Sequence, residues 1–102
     1  MKLILHKPEQ IISGDILLPG SKSISNRVLI IKALSELNFD IENLSDSDDT
    51  RHLKDALESY HHNSVIDVRH AGTDMRFLTA FLSLKNGDYE LTGSERLQQR
   101  PI

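Results

Sequence analysis

Cysteine is absent from this 102-residue sequence, so no disulfide can staple it and no thiolate can serve as nucleophile or metal ligand, which fits a reducing cytoplasm. A basic excess is missing too. Twelve Lys and Arg stand against fifteen Asp and Glu, for a net charge of -3. That balance argues against a general nucleic-acid or membrane-surface binder, whose partners need a net basic face. No apolar run approaches the roughly 20 residues of a membrane span, and Met1-Lys2-Leu3-Ile4-Leu5 meets charge too soon for a signal peptide. There is no low-complexity tract and no fixed-period repeat. One small domain with a modest core is expected, since domains commonly run to roughly 100–150 residues.

What the sequence does contain is organised around Leu18-Pro19-Gly20-Ser21-Lys22-Ser23-Ile24-Ser25-Asn26-Arg27. Pro19-Gly20 breaks the extended segment before it, and the serines can cap a helix whose first turns carry Lys22 and Arg27. The free N–H groups and positive dipole end of a new helix favour an anion, and two cations in the same turns sharpen that preference. Ser23 and Arg27, four apart, share a helix face. The stretch reads as an anion cradle rather than as a plain serine cap.

On either side the pattern predicts alternating elements. Residues 2–7 and 15–18 read as short strands, bounded by Pro8 and Ser13-Gly14. From 23 to 37, Ile24, Val28, Ile31 and Leu34 recur at helical spacing, with Leu29, Ile30, Ala33 and Leu37 widening the stripe, so this helix should be buried on much of its surface and stop at Asn38. Residues 39–44 are a strand candidate. Ser45-Asp46-Ser47-Asp48-Asp49-Thr50 supplies capping groups before a helix over 51–60 with a narrow apolar stripe of Leu53, Ala56, Leu57 and Tyr60. Helix-start electrostatics explain those aspartates better than a metal site does, because the glycine and bidentate Glu of a calcium loop are missing. His61 and His62 read as solvated, since adjacent side chains diverge and no third ligand is near.

Residues 64–69 form a predicted strand with Ile66 and Val68 on one face. His70-Ala71-Gly72-Thr73-Asp74-Met75-Arg76 then repeats the opening logic: Gly72 admits a ligand close to the backbone, Thr73 is placed to cap a helix running through Phe81, Leu82 and Leu84, and Arg76 lies early on it. Asn86-Gly87 should end that helix, and 88–92 reads as a strand with Tyr89 and Leu91 on one face. The tail from Thr92 to Ile102 is polar.

Four stretches resemble the 5-enolpyruvylshikimate-3-phosphate synthase family, in family order. They are Pro19-Gly20-Ser21-Lys22-Ser23-Ile24-Ser25-Asn26-Arg27, Leu44 to Arg51 with its Ser-Asp-Asp-Thr, Ala71-Gly72-Thr73 through Met75-Arg76, and Leu91-Thr92-Gly93 through Arg100-Pro101-Ile102. The resemblance implies an α+β fold: an incomplete βαβαββ unit of the enolpyruvyl transferase fold, with helices packed inside and a mixed sheet outside. Family members have two similar domains, each of three such units, and bind ligands in the cleft between them. Residues 1–18 would join the other domain, and residues 19–102 would form the first, truncated unit of the substrate-binding domain.

The resemblance implies transfer of the enolpyruvyl group of phosphoenolpyruvate to the 5-hydroxyl of shikimate 3-phosphate, through a tetrahedral intermediate and loss of phosphate, in the cytoplasm and with no metal or organic cofactor. Lys22 matches the lysine that touches both substrates, Ser23 and Arg27 match positions that hold shikimate 3-phosphate, and Gly72, Arg76 and Arg100 match the phosphoenolpyruvate side. Gly72 is the implied glyphosate contact. No catalytic acid or base is expected within this chain, because those of the family lie beyond Ile102. The chain should therefore be an inactive fragment with exposed faces that invite self-association. His70, Asp74 and Phe77 depart from the usual asparagine, neutral residue and proline, and Asp74 should weaken anion binding if it faces the cleft. Two alternatives are the related UDP-N-acetylglucosamine enolpyruvyl transferases, whose N-terminal motif differs, and a non-catalytic domain that binds phosphate esters or a protein.

Overall fold

The structure, a computed structural model, describes residues 1–101. Ile102, which closes the Arg-Pro-Ile match, lies outside the described residues. Ser21 opens helix α1 (Lys22–Ser35) by accepting the Ile24 amide on its Oγ at 3.3 Å. The helix ends at Glu36 in the left-handed region (φ 56°), earlier than the expected Asn38. The Ser35 hydroxyl accepts the Leu37 amide at this turn. Burial on α1 also differs from expectation. Only Ser25, Asn26 and Leu29 are buried, while Ile24 and Ile31 stay 65% and 59% exposed. The helical spacing is real, but the described residues supply nothing to cover that apolar face.

Helix α2 (Asp48–Ser59) is capped by Ser47, whose Oγ accepts the Thr50 amide at 3.3 Å. It starts earlier than the predicted Arg51, so Asp48 and Asp49 fall in its first turn, where the helix dipole favours carboxylates. Leu53 and Ala56 face inward, as the narrow stripe requires.

Strand β1 (Val65–Asp67), helix α3 (Gly72–Leu82) and strand β2 (Glu90–Thr92) form a βαβ crossover, and β1 pairs with β2 in parallel with Ile66 opposite Leu91. Ile66 and Val68 both point into the core. Helix α3 is entered through Ala71 with no side-chain cap, so Thr73 lies inside the first turn instead of capping it. It ends at Leu82, short of Leu84, and Gly87 (φ 127°) makes the later turn. A short helix not expected from the polar tail, α4 (Glu95–Gln98), is capped by Ser94 and buries Leu97. Each pair among α1, α2 and α3 is in contact. The core gathers Leu53, Leu78, Val68 and Phe81, with Tyr60 edge-on to Phe81 at 5.3 Å.

The strands expected at 2–7, 15–18 and 39–44 are absent. A strand exists only through a hydrogen-bonded partner, and among the described residues the one sheet has two strands, β1 and β2. Residues 39–44 turn instead, with Asn43 at φ 53°. Residues 1–18 run extended and exposed, and the radius of gyration is 18.1 Å where a compact chain of this length has about 13 Å.

The chain before α1 is anchored where Gly20 meets the Asn43 turn. A Cβ on Gly20 would lie 1.9 Å from the Asn43 carbonyl oxygen and 3.0 Å from the Ser45 nitrogen, both backbone atoms. Gly20→Ala must push these segments apart. It should destabilise the protein by about 2 kcal/mol, on the scale of overpacking, measured by urea unfolding.

Candidate anion-binding site

Three helix starts converge. Asn26 of α1, Thr50 of α2 and Asp74 of α3 are 1%, 0% and 0% exposed and form one hydrogen-bonded chain. Ser47 Oγ donates to Thr50 Oγ1 at 3.0 Å, Thr50 Oγ1 donates to Asn26 Oδ1 at 2.8 Å, and Asn26 Nδ2 donates to Asp74 Oδ1 over a long 3.5 Å. A second link ties α1 to the approach to α2, for Ser25 Oγ accepts the Ser45 amide at 2.9 Å. At the surface, Lys22 Nζ meets Asp49 Oδ2 at 2.9 Å.

This arrangement sets the first turns of α1, α2 and α3 around an open cavity of about 500 Å³, to which Lys22, Asp49, Gly72, Thr73, Arg76 and Arg100 contribute. The first amides of α3 have no acceptor within the helix and no side-chain cap, so they are free to donate to a ligand. Three fixed cations against one carboxylate make the cavity locally positive on a chain whose net charge is -3. Arg100 Nη1 lies close over Gly72, 3.4 Å from where a Cβ would be, so the bare glycine lets guanidinium and backbone amides address the same small group. Bidentate guanidinium donors, an ammonium and helix amides are donor types suited to phosphate and carboxylate.

Lys22, Gly72, Arg76 and Arg100 are thus brought together from three segments far apart in sequence. Ser23 and Arg27 are not part of the cavity lining. Both are exposed on α1, where Arg27 Nη1 donates to the Ser23 carbonyl at 3.0 Å and the guanidinium lies over the Phe77 ring, 5.9 Å from its centroid. His70 lines the cavity. Asp74 does not face it, contrary to the concern raised by its sequence position, and is fully buried among the helix starts. The local reading missed Asp49, Asn26 and Thr50. The Ser-Asp-Asp-Thr stretch flagged a helix start, but no local pattern signals partners 27 and 24 positions away.

Burial pushes the Asp74 carboxyl up from 3.8 to about 7, Asp49 adds to the rise, and Lys22 opposes it. Its Oδ2 has no hydrogen-bond partner. Among the described residues no group of three His, Cys, Asp or Glu could hold a metal ion, and no helix is long and apolar enough to cross a membrane.

Fold and site together define a unit of converging helix starts around one locally positive cavity. Comparison with known proteins gives the family: a model of EPSP synthase (3-phosphoshikimate 1-carboxyvinyltransferase) matches residues 6–61 and 57–102, and the chain belongs to that family. Similar proteins named 3-phosphoshikimate 1-carboxyvinyltransferase include one from Bacteroides fragilis strain YCH46, 54% identical over 102 residues, covering all of this chain and 24% of the relative. One from Sulfurovum sp. strain NBC37-1 is 40% identical and one from Vibrio cholerae strain O395 is 37% identical, each over 126 residues, all of this chain and 30% of the relative. The chain therefore spans about a quarter to a third of the length of these relatives. No solved structure matches it.

Asp74 gives the fold a signed pH dependence. Between 3.8 and about 7 the folded chain holds a proton that the unfolded chain has released, so stability falls as pH rises through that window. The slope from this group is up to about 1.4 kcal/mol per pH unit. Asp74→Asn should remove it, as read from the difference between wild-type and variant urea unfolding curves at pH 5, 6, 7 and 8.

Proposed function

We propose that the complete protein transfers the enolpyruvyl group of phosphoenolpyruvate to the 5-hydroxyl of shikimate 3-phosphate, releasing phosphate, in aromatic amino acid biosynthesis in the cytoplasm. The observation that carries this is the single cavity to which Lys22, Gly72, Arg76 and Arg100 all contribute. The names of the relatives point the same way.

In this proposal the chain forms one wall of the substrate cleft. Lys22 reaches both substrates, and Gly72, Arg76 and Arg100 bind the phosphate and carboxylate of phosphoenolpyruvate. Ser23 and Arg27, outside the cavity wall, hold shikimate 3-phosphate from the exposed face of α1. The cations act by fixing the two anions side by side and by stabilising charge as the phosphate leaves. Proton transfer to the methylene carbon and from the hydroxyl falls to groups beyond Ile102. No metal or organic cofactor enters the proposal. Residues 19–102 belong to a βαβαββ unit of the enolpyruvyl transferase fold, and residues 1–18 join the second domain.

The apolar side chains left in water support an incomplete unit over a free-standing binding module. Leu3, Ile4, Leu5, Ile16 and Leu17 are each more than 70% exposed, and the outer face of α1 adds Ile24, Ile31 and Leu34. Surfaces of that kind are covered in working proteins. Self-association of the isolated chain follows from the same faces.

Two measurements test the proposal. Shikimate 3-phosphate titrated into the 102-residue chain by calorimetry should bind weakly or not detectably, and submicromolar affinity would mean that the chain is a self-sufficient binder. In the complete enzyme, Gly72→Ala places a methyl 3.4 Å from Arg100 Nη1 and 3.6 Å from Leu97 Cδ1, contacts the fold tolerates. Glyphosate binding should weaken by about tenfold or more, the equivalent of about 1.4 kcal/mol, with shikimate 3-phosphate binding retained. Unchanged inhibitor binding refutes the Gly72 contact.

A further inference from the structure

The direction of the buried hydrogen bonds leaves Asp74 with an unusual role. Each of the three side chains passes a donor along the chain: Ser47 donates to Thr50, Thr50 to Asn26, and Asn26 to Asp74 Oδ1. The polarity of the chain thus runs toward the carboxyl and ends there. Oδ2 is buried with no hydrogen-bond partner, so no donor of the fold stabilises a charge on it and a proton there is favoured. The charged groups acting on it from the packed helices are Asp49 of α2 and Lys22 of α1, the same ion pair that lines the cavity. Two neighbours in sequence, Gly72 and Thr73, supply the cavity's free helix amides, while Met75 and Arg76 line it on the other side of Asp74.

An anion in the cavity and a negative charge on Asp74 therefore compete for one set of positive groups: the start of α3 and Lys22. We propose that Asp74 couples anion binding in this cavity to proton uptake, the incoming anion being accompanied by a proton drawn from the solvent onto Asp74 Oδ2. The coupling rests on the cavity being the anion site named above. It is reciprocal: the anion raises the affinity of Asp74 for its proton, and the proton raises the affinity of the cavity for the anion by the same factor. A carboxyl already lifted by burial toward neutral pH is poised for this. Asp74 touches neither substrate in this scheme and acts as a positioning and charge-balancing residue. Its place beside the cavity also explains how a carboxylate is tolerated next to the glycine turn.

The test is carboxyl carbon NMR on the complete protein, with and without sulfate, a dianion whose own charge is fixed across neutral pH. The Gly72 amide shift reports occupancy. The Asp74 carboxyl should titrate near neutrality and move up by about half a unit or more when sulfate is bound. The wild-type sulfate dissociation constant should weaken by about threefold between pH 6 and 8, the factor linked to that shift. Asp74→Asn, which keeps the shape and the Asn26 contact, should bind sulfate with a clearly smaller pH trend than the wild type, His70 of the cavity lining being common to both proteins. A midpoint below 5, a midpoint unmoved by bound sulfate, or an unchanged pH trend in Asp74→Asn would each overturn the coupling while leaving the cavity as an anion site. A Gly72 amide indifferent to sulfate would overturn the anion site itself and the coupling with it.

Discussion

Asn26, Thr50 and Asp74 come from three different helices, and the hydrogen bonds among them decide how those helices stand. Each bond between neutral groups contributes only about 1 kcal/mol net, yet an unpaired buried partner costs about 1–3 kcal/mol, so the three side chains specify one arrangement more than they stabilise it. Bringing the second turn of α1 against the first turns of α2 and α3 forces the helix starts to one end of the fold. Everything chemical about the chain sits at that end.

The consequence is electrostatic. Helix starts carry free amides and partial positive charge, and the unit adds Lys22, Arg76 and Arg100 around the same opening. Asp49 neutralises part of this and pairs with the half-exposed Lys22 at 2.9 Å on the cavity rim. The same geometry creates a cost, the buried Asp74 carboxyl, which sits where its charge is poorly solvated. The site is positive because three helices begin together and Lys22, Arg76 and Arg100 surround that point, a property that none of the segments has alone.

The apolar surface shows the opposite face of the same economy. Inside, Leu53, Leu78, Val68 and Phe81 make a tight centre. Outside, α1 and residues 1–18 present aliphatic side chains with the spacing of buried elements and no cover among the described residues. With relatives about four times as long, such faces are where further sequence of the family is expected to pack.

Local chemistry was legible wherever an element depends on its own neighbours in sequence. Capping hydroxyls just before apolar periodicity located α1 and α2, alternation placed Ile66 and Val68 on one buried face, and the family resemblance marked Lys22, Ser23, Arg27, Gly72, Arg76 and Arg100, of which Lys22, Gly72, Arg76 and Arg100 line one cavity and Ser23 and Arg27 do not. Periodicity could not tell whether the α1 stripe has anything to pack on, nor could β-branched runs at 2–7 and 15–18 supply a strand partner, because burial and pairing are properties of two segments. The close approach of Gly20 to Asn43 and the Lys22–Asp49 pair were likewise decided by tertiary contact. The sequence by itself determined that helices follow the serine-rich stretches at Ser21 and Ser47 and which side chains are of the kind that holds an anion. Only the folded chain decided which of those side chains share a cavity and that Asp74 lies beneath it, since both depend on distances between residues that are remote along the backbone.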